Sequence, residues 1–279
     1  MNLIADSGST KTDWILSDDH HNITKYRTVG LNPFFHSPQS IKEALIESEL
    51  KPTFSDDIKQ IYFYGAGCST EVNCSIVSNG LQLLFPKAKI EVNHDMLAAA
   101  RALCGNTKGL AGILGTGSNS CLFDGKNVLE TIGGYGHMLG DEGSGMHIGK
   151  TLLQNFMNDE MPLDVSEIFV AKYQYSKKDV MDKVMKSQFP NRFMASFSTF
   201  LFDHIANPYC QTLVENCFDD FFEKNILKYK NSQPLDVNIV GSIAFHFDAQ
   251  LRKVAASKNR TIGKILRSPI EELSKYHEG

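Results

Sequence analysis

The chain has 279 residues, of which 42% are hydrophobic, and its formal net charge is -4. This composition excludes a disordered or fibrous protein, and the length suffices for two compact domains. The sequence has no basic stripe, no apolar run of about 18 residues and no signal-peptide pattern. We therefore expect no nucleic-acid or membrane partner and a cytoplasmic location.

The first hundred residues predict the order strand, strand, strand, helix, strand, helix, strand, helix. Leu3–Ala5 and Trp14–Leu16 flank a turn of small residues, which is typical of a hairpin. Ser37 followed by Pro38 is a helix-start signal. The later elements of this half are predicted by the segments IYFYGAG, EVNCSIVSNGLQLLF, AKIEV and DMLAAARALCG.

The same pattern begins again after the polar segment GNTKG, residues 105–109. GLAGILGTGSNSCLFDGKNVLETIGG predicts three strands, residues 144–229 are mostly helical, and DVNIVGSIA, FDAQLRKVAASK, RTIGKIL and PIEELSKYH predict strand, helix, strand and helix. The repetition predicts an α/β fold with two related domains, residues 1–107 and a larger domain of residues 108–279 with a helical insertion. The last helix is expected to pack back on the first domain.

The first turn is rich in groups that can bind phosphate. Its residues are Ser7, Gly8, Ser9 and Thr10. Glycine and small hydroxyl residues let backbone N–H groups point into the mouth of such a loop. Lys11 adds a positive charge, and Asp6 is placed to hold a water molecule of a hydrated magnesium ion. An ordinary tight hairpin with an incidental lysine explains this stretch equally well, because the GxxxxGK[ST] pattern is absent.

A second turn has the same character. Its residues are Gly115, Thr116, Gly117, Ser118 and Asn119. Two such turns on two related domains could hold a polyphosphate from both sides. A third piece, Gly241 and Ser242, follows a predicted buried strand, where glycine would let a nucleoside lie against the backbone. A helix-entry turn is an equally good interpretation of that piece.

The segment GGYGHMLGDEGSGMHIGK has seven glycines in eighteen residues, with Tyr135, His137, Asp141 and Glu142 among them. So many glycines disfavour a regular strand or helix interior. The mixture of glycine with polar and aromatic side chains favours a shaped binding loop over a flexible linker.

Asp95 lies at the junction between a predicted strand and a predicted helix. The start of a helix favours an anion there. A plain helix N-cap and a catalytic carboxylate are both consistent with this position, and the two roles are compatible. His94 is given no role. The six cysteines form no CxxC pair and no zinc-like spacing with histidine, which favours small buried side chains.

Together the motifs DSGSTKTDW, VNHD, GILGTGSNS, GGYGHMLGDEGSG and IVGSIAFHF resemble the N-acetylglucosamine kinase-like proteins of the BadF/BadG/BcrA/BcrD ATPase family, within the sugar kinase and actin-like superfamily. The resemblance covers nearly the whole chain. It implies two ribonuclease-H-like domains around a central cleft, ATP and Mg²⁺ as cofactors, and phosphorylation of an amino sugar, N-acetylglucosamine first among them, at its C6 hydroxyl. It also suggests a homodimer, which no pattern in the sequence proves.

The resemblance implies roles for particular residues. Asp95 falls at the catalytic base. Phosphate and ATP contacts fall on Gly8, Ser9, Thr10, Lys11, Gly115, Thr116, Gly117, Gly241 and Ser242, and sugar contacts on Asn32, Ser118, Asn119, Gly134, Tyr135 and Asp141. The family more often has glycine at the position of Ser7, and some relatives have tryptophan at that of Tyr135.

Three functions remain open at the level of sequence. The first is the kinase, with N-acetylglucosamine, glucosamine or N-acetylmuramic acid as its sugar. The second is an ATPase activator that shares an iron–sulfur cluster in a dimer, for which the cysteines show no pattern. The third is a sugar sensor without catalytic activity. No structural zinc is expected.

Overall fold

The computed structural model describes residues 1–8, 10–18, 20, 22–230 and 235–278. These residues divide into two compact units. Unit 1 comprises residues 1–106, 125–127 and 268–279, and unit 2 comprises residues 107–124 and 128–267. Each unit has its own sheet and its own hydrophobic core.

Unit 1 begins in the predicted order of strands and helices. Its elements are β1 (Asn2–Ser7), β2 (Lys11–Ser17), β3 (Ile23–Val29), α1 (Pro38–Ile46), β4 (Gln60–Gly65), α2 (Glu71–Gln82), β5 (Lys89–His94) and α3 (Asp95–Cys104). The strands form one sheet in the order β3-β2-β1-β4-β5. β1 pairs antiparallel with β2 and parallel with β4, and β5 is parallel to β4. The carboxyl ends of β1, β4 and β5 therefore share one edge of the sheet.

The two faces of this sheet have different side chains, as the period of a strand requires. Leu3, Ala5, Trp14 and Phe63 enter a core that α1 and α2 also line. The opposite face, which includes Asp6 and Tyr64, packs against α3 and against a helix from the end of the chain. The polar side chains Asp6 and Tyr64 thus lie on that second face, near the carboxyl ends of their strands.

Unit 2 repeats the arrangement with a helical insertion. Its elements are β6 (Gly109–Leu114), β7 (Ser118–Phe123), β8 (Val128–Gly133), α4 (Gly145–Met157), α5 (Leu163–Tyr173), α6 (Lys177–Lys186), α7 (Pro190–Ser196), α8 (Ser198–Asp203), α9 (Pro208–Lys224), β9 (Val237–Val240), α10 (Ser242–His246), α11 (Asp248–Ser257) and β10 (Ile262–Leu266). The sheet order, β10-β9-β6-β7-β8, has the same connectivity as that of unit 1. Buried phenylalanines on α5, α8 and α9 form part of its core.

The chain ends in α12 (Ile270–Glu278), which packs on α3, β1 and β2 of unit 1. Its His277 ring stacks on Tyr62 with centroids 3.6 Å apart, and its Nε2 lies 2.7 Å from the Tyr64 hydroxyl. That hydroxyl also accepts a 2.6 Å hydrogen bond from Arg101 Nη1. Burial, with the Arg101 charge second, lowers the pKa of His277 to about 4.

We predict that His277 makes the stability of unit 1 depend on pH. Its pKa is about 4 when folded against 6.5 as the reference value, so its contribution is complete above pH 6.5 and is lost as the pH falls to about 4. The His277→Phe variant keeps a ring on Tyr62 and cannot titrate. Urea unfolding across this range should show the largest difference in free energy of unfolding between wild type and the variant at neutral pH, with wild type the more stable. About 1 to 2 kcal/mol of this difference should be lost by pH 4 after solvent screening. A pH-independent difference would contradict this.

Within the described ranges, no helix combines the length and the apolar content that crossing a membrane requires.

Candidate functional site

The first turn of unit 1 connects β1 to β2 and is fixed on both sides by backbone hydrogen bonds. The amide of Gly8 donates to the carbonyl of Lys11 at 3.0 Å, and the carbonyl of Thr10 accepts from the amide of Gly30 at 3.1 Å. Thr10 itself is exposed. Ser9, which the sequence assigns to phosphate binding, lies outside the described residues. Thr10 is therefore accessible to a ligand.

The ammonium group of Lys11 already has a partner. Its Nζ lies 2.5 Å from Oδ2 of Asp13, and Arg27 Nε lies 2.7 Å from Oδ1 of the same carboxylate. Burial tends to raise the pKa of Asp13, but the hydrogen bonds and charges of Lys11 and Arg27 outweigh it and hold that pKa below its usual range. Lys11 would have to exchange Asp13 for a phosphate to act as the sequence predicts.

Asp6 and Asp95 interact at the carboxyl edge of the unit 1 sheet. Asp6 is in register with Asp13 and with Tyr64, one residue before the end of β1. Burial raises the pKa of Asp6 to about 7, and the charges of Asp95 and Asp13 add to the increase. Burial also raises the pKa of Asp95. Carboxylates that repel each other in a poorly hydrated place favour a shared proton or a cation.

Asp95 is the first residue of α3, and the preceding residue caps the helix. His94 Nδ1 accepts a 3.2 Å hydrogen bond from the amide of Leu97. This bond requires the neutral ring, and burial lowers the pKa of His94 accordingly. The charge of His94 and the backbone amides of Met96 and Asp95 lower the pKa of the Asp95 carboxyl and so oppose the effect of burial. The sequence left open whether Asp95 is the N-cap of α3, and in the structure the N-cap is His94.

Asn32 lies in the loop between β3 and α1 and is buried. Its Oδ1 accepts from the amide of Phe34 at 2.9 Å, and its carbonyl accepts from the amide of Phe35 at 3.0 Å. A Cβ on Gly67 would lie 2.7 Å from this Oδ1, so the backbone of the loop after β4 presses against it. The side chain of Asn32 is thereby held in one orientation, with exposed Phe34 and Phe35 beside it.

The second turn, between β6 and β7, is braced by α4. The carbonyls of Gly115 and Thr116 accept from the amides of Gly145 and Met146 at 2.8 and 3.1 Å. The carbonyls are thus turned toward α4. Among the described residues, the partly exposed amides of Thr116 and Gly117 have no acceptor. Two adjacent N–H groups of this kind suit the oxygens of a phosphate.

Asp141 holds the far side of this turn. Its Oδ1 accepts from the amide of Ser118 at 3.0 Å, and a Cβ on Gly117 would lie 2.9 Å from the same oxygen. Burial is the main cause of the raised pKa of Asp141, while the Ser118 hydrogen bond and His137 oppose it. The buried Oγ of Ser118 has no hydrogen-bond partner within the described part of the chain. A ligand hydroxyl at this point would therefore find both an acceptor and a donor.

Asn119 and Gly134 contact each other at the end of the β7–β8 pair. Asn119 is in register with Gly133, and its side-chain amide lies 2.8 Å from where a Cβ on Gly134 would be. Tyr135 follows with 66% of its surface exposed. The structure thus brings Ser118, Asn119, Gly134 and Asp141 to one end of unit 2, and it leaves Tyr135 on an exposed loop.

Gly241 joins β9 to α10 against the end of β6. A Cβ there would lie 2.1 Å from the carbonyl oxygen of Leu114 and 3.1 Å from the amide nitrogen of Gly115, and φ is +133°. Only glycine fits both constraints. Ser242, the first residue of α10, is exposed. The Gly241–Ser242 turn therefore lies directly beside the Gly115–Gly117 turn.

Sequence reasoning gave no role to three groups that shape this site. Asp13 pairs with Lys11, His94 caps α3, and Thr12 bonds to Ser7. The strand alternation places Asp13 on the same face as Asp6, which is a usable signal. The sequence contains no signal for the His94 cap, because histidine is not among the preferred N-cap residues.

Within the described ranges, no group of three or more His, Cys, Asp or Glu side chains is arranged to hold a metal ion. A hydrated magnesium ion does not need such a cluster, because it keeps several waters and binds through one or two carboxylates and substrate phosphates. Asp6 and Asp95 are a donor set of that kind.

Two units with the same strand order, each with a turn of small residues after its first strand, define a protein of the ribonuclease-H-like, actin-like fold class. Within that class the chain belongs to the BadF/BadG/BcrA/BcrD ATPase family, whose sequence pattern matches residues 5–191.

Two proteins are similar to this chain in sequence. A chain from Porphyromonas gingivalis, described as a candidate N-acetylglucosamine kinase, is 41% identical, and the match covers 99% of this chain and 98% of that one with a TM-score of 0.94. N-acetyl-D-glucosamine kinase of Dictyostelium discoideum is 23% identical over an alignment of 193 residues, and the match covers 62% of this chain and 60% of that protein. The second match thus spans less than two thirds of the relative's length.

A more distant structure agrees in fold alone. A glucokinase of the ROK family from Streptomyces griseus, solved with glucose and AMPPNP, is 12% identical with a TM-score of 0.56, over 100% of this chain and 99% of that one. The predicted fold class is confirmed.

Proposed function

We propose that this chain is an ATP-dependent kinase that phosphorylates the C6 hydroxyl of an amino sugar, N-acetylglucosamine. Family membership supports ATP as the phosphoryl donor. The 41% identical relative and the curated relative support the sugar. The observation that carries the proposal is Asp95, a carboxylate at the carboxyl edge of the unit 1 sheet whose capping duty is performed by His94.

Asp95 is the catalytic base in this proposal. A base must accept the hydroxyl proton as the oxygen attacks phosphorus, and its ideal pKa lies near the working pH. Burial raises the pKa of Asp95 in that direction, while the amides of Asp95 and Met96 and the helix start keep the charged form accessible. These opposing effects suit a group that must take up a proton and release it.

The phosphates of ATP fit the second turn. The unpaired amides of Thr116 and Gly117 would bind phosphate oxygens, and Gly241 with Ser242 would accept the nucleoside against bare backbone. Gly8, Thr10 and Lys11 stay predicted contacts of the terminal phosphate. ATP supplies the phosphoryl group, and these residues neutralise and orient its charge.

Magnesium fits Asp6. Burial and two neighbouring carboxylates make an isolated negative charge costly there, as its pKa of about 7 indicates. A hydrated divalent cation would offset that cost, with Asp6 accepting hydrogen bonds from its waters. Its role would be to screen the charge of the phosphates.

The sugar would be bound by polar groups at the end of unit 2 that carries Ser118 and Asp141. Asp141 uses Oδ1 for the Ser118 amide, which leaves Oδ2 to accept a sugar hydroxyl. The unpaired Ser118 Oγ and the side chain of Asn119 would contact further hydroxyls. Gly134 and Tyr135 would contact the ring or the acetyl group, and Asn32 stays a predicted sugar contact.

The cysteines do not favour an iron–sulfur ATPase activator. Such a protein must offer thiolates to a cluster. Five of the six cysteines are buried, and burial raises the pKa of Cys68 and Cys217 to about 12. Thiols in such surroundings are poor metal ligands without rearrangement.

A product-resolved substrate panel tests the proposal. Magnesium-ATP would be supplied with N-acetylglucosamine, N-acetylmannosamine, N-acetylmuramic acid, glucosamine and glucose, and each product examined by phosphorus-coupled NMR. We expect N-acetylglucosamine to have the highest kcat/KM and phosphorus coupling to appear on the C6 protons. A higher kcat/KM for another sugar would make that sugar the substrate in place of N-acetylglucosamine. Phosphorus coupling at another carbon would overturn the C6 assignment.

A further inference from the structure

We propose that Ser7 is a positioning residue for sugar binding, because its hydroxyl ties the first phosphate turn to the loop that carries Asn32. The inference rests on the proposed function, since it concerns the same site. It assigns Ser7 no contact with either substrate.

The hydroxyl of Ser7 belongs to a directed chain of hydrogen bonds. The amide of Leu31 donates to Ser7 Oγ at 3.0 Å, and Ser7 Oγ lies 2.8 Å from Thr12 Oγ1. Thr12 Oγ1 donates to the carbonyl of Val29 at 2.9 Å. Because the Thr12 proton is used there, Ser7 must donate to Thr12 and accept from Leu31.

The chain of hydrogen bonds is shielded from water. Ser7 is 1% exposed, and Thr12 and Leu31 are each 0% exposed. Removal of the Ser7 hydroxyl would leave the Leu31 amide buried without an acceptor. Such a group carries its full desolvation cost, so the loop would shift to reach water or another acceptor.

The shift would reach Asn32 directly. Gly30 and Leu31, the two residues before it, are held by the Thr10 carbonyl and by Ser7 Oγ. Thr10 and Ser7 lie on the two sides of the first turn. The position of Asn32 relative to that turn therefore depends on two hydrogen bonds, and the Ser7 side chain accepts one of them.

Ser7 has no other evident reason to be polar. It follows Leu3 and Ala5 on the face of β1 that enters the apolar core. A core-facing hydroxyl that joins two parts of one site is explained by positioning.

The test compares Ser7→Ala and Ser7→Gly with Ser17→Ala. Ser17 is also a buried serine at a strand end of unit 1, but it lies at the opposite end of the β1–β2 pair and bonds to Glu278. We expect the Ser7 variants to raise KM for the sugar by about 5- to 50-fold, while kcat and KM for ATP change less than about threefold. Ser17→Ala should leave all three near wild type.

Hydrogen exchange gives a second measurement that does not need activity. The amide of Leu31 should exchange at least about tenfold faster in both Ser7 variants and unchanged in Ser17→Ala. Unchanged exchange at Leu31, or equal rises in KM for sugar and ATP, would overturn the positioning role. Faster exchange in a protein that phosphorylates no sugar would leave the hydrogen-bond chain established and refute the proposed function instead.

Discussion

Replacement of Asp95 by Asn is expected to lower kcat by about 100- to 10,000-fold with little change in sugar affinity. Asparagine keeps the size of the side chain and can still accept a hydrogen bond, but it cannot take a proton from the sugar hydroxyl. His94 continues to cap α3 in the variant, so the helix start should persist. Turnover measured by coupled ADP release, with sugar binding by calorimetry, checks the prediction.

Asp248→Asn is the matched control. Asp248 is likewise the first residue of a helix, α11, and the substitution removes the same charge. Its carboxylate pairs with Arg252 on the same helix and has no place in the proposed site. We expect its kcat to stay within a few fold of wild type. Equal losses in both variants would show that charge or stability, rather than a base, explains the effect of Asp95.

The second large effect is expected from Gly241→Ala. The new methyl carbon would lie 2.1 Å from the Leu114 carbonyl oxygen, and φ of +133° is unfavourable for alanine. The β9 end must move away from β6, which displaces the Gly115–Gly117 turn. We expect about 3 kcal/mol or more of lost stability and at least about tenfold weaker nucleotide binding. Thermal melts with and without ADP would show a lower melting temperature and a smaller nucleotide-induced rise.

Gly105→Ala separates backbone strain from the steric clash. Gly105 also has a positive φ, +57°, but a Cβ there would meet nothing within 4 Å. We expect a loss of about 1 kcal/mol and a normal nucleotide-induced rise in melting temperature. A normal rise in Gly241→Ala as well would remove this turn from nucleotide binding.

The sequence predicted most of the fold because its local signals agree with its global pattern. Alternating apolar residues and glycine turns marked the strands, and the repeat of the same order marked two related sheets. Within residues 144–229 the helices were predicted as one region, whereas the structure divides it into α4–α9. Pro190 and Pro208 mark two of those starts. The other breaks depend on packing.

The site was less predictable, because its contacts join distant residues. Lys11 has the charge that a phosphate site needs, but the pairing of β1 with β2 gives it Asp13 as a partner. Asp141 was predicted as a sugar contact, and its hydrogen bond to the Ser118 amide spans 23 positions. Ser7 stood out only as a departure from glycine. Spacing alone does not reveal that its hydroxyl supports the Asn32 loop.

The most direct test of the kinase proposal is the fate of the terminal phosphate of ATP. With γ-labelled ATP, magnesium and N-acetylglucosamine, we predict that nearly all released label is in sugar phosphate, one for each ADP formed, and that Asp95→Asn forms almost none. Label that appears as inorganic phosphate at the same rate with or without sugar would contradict the account and indicate an ATPase instead.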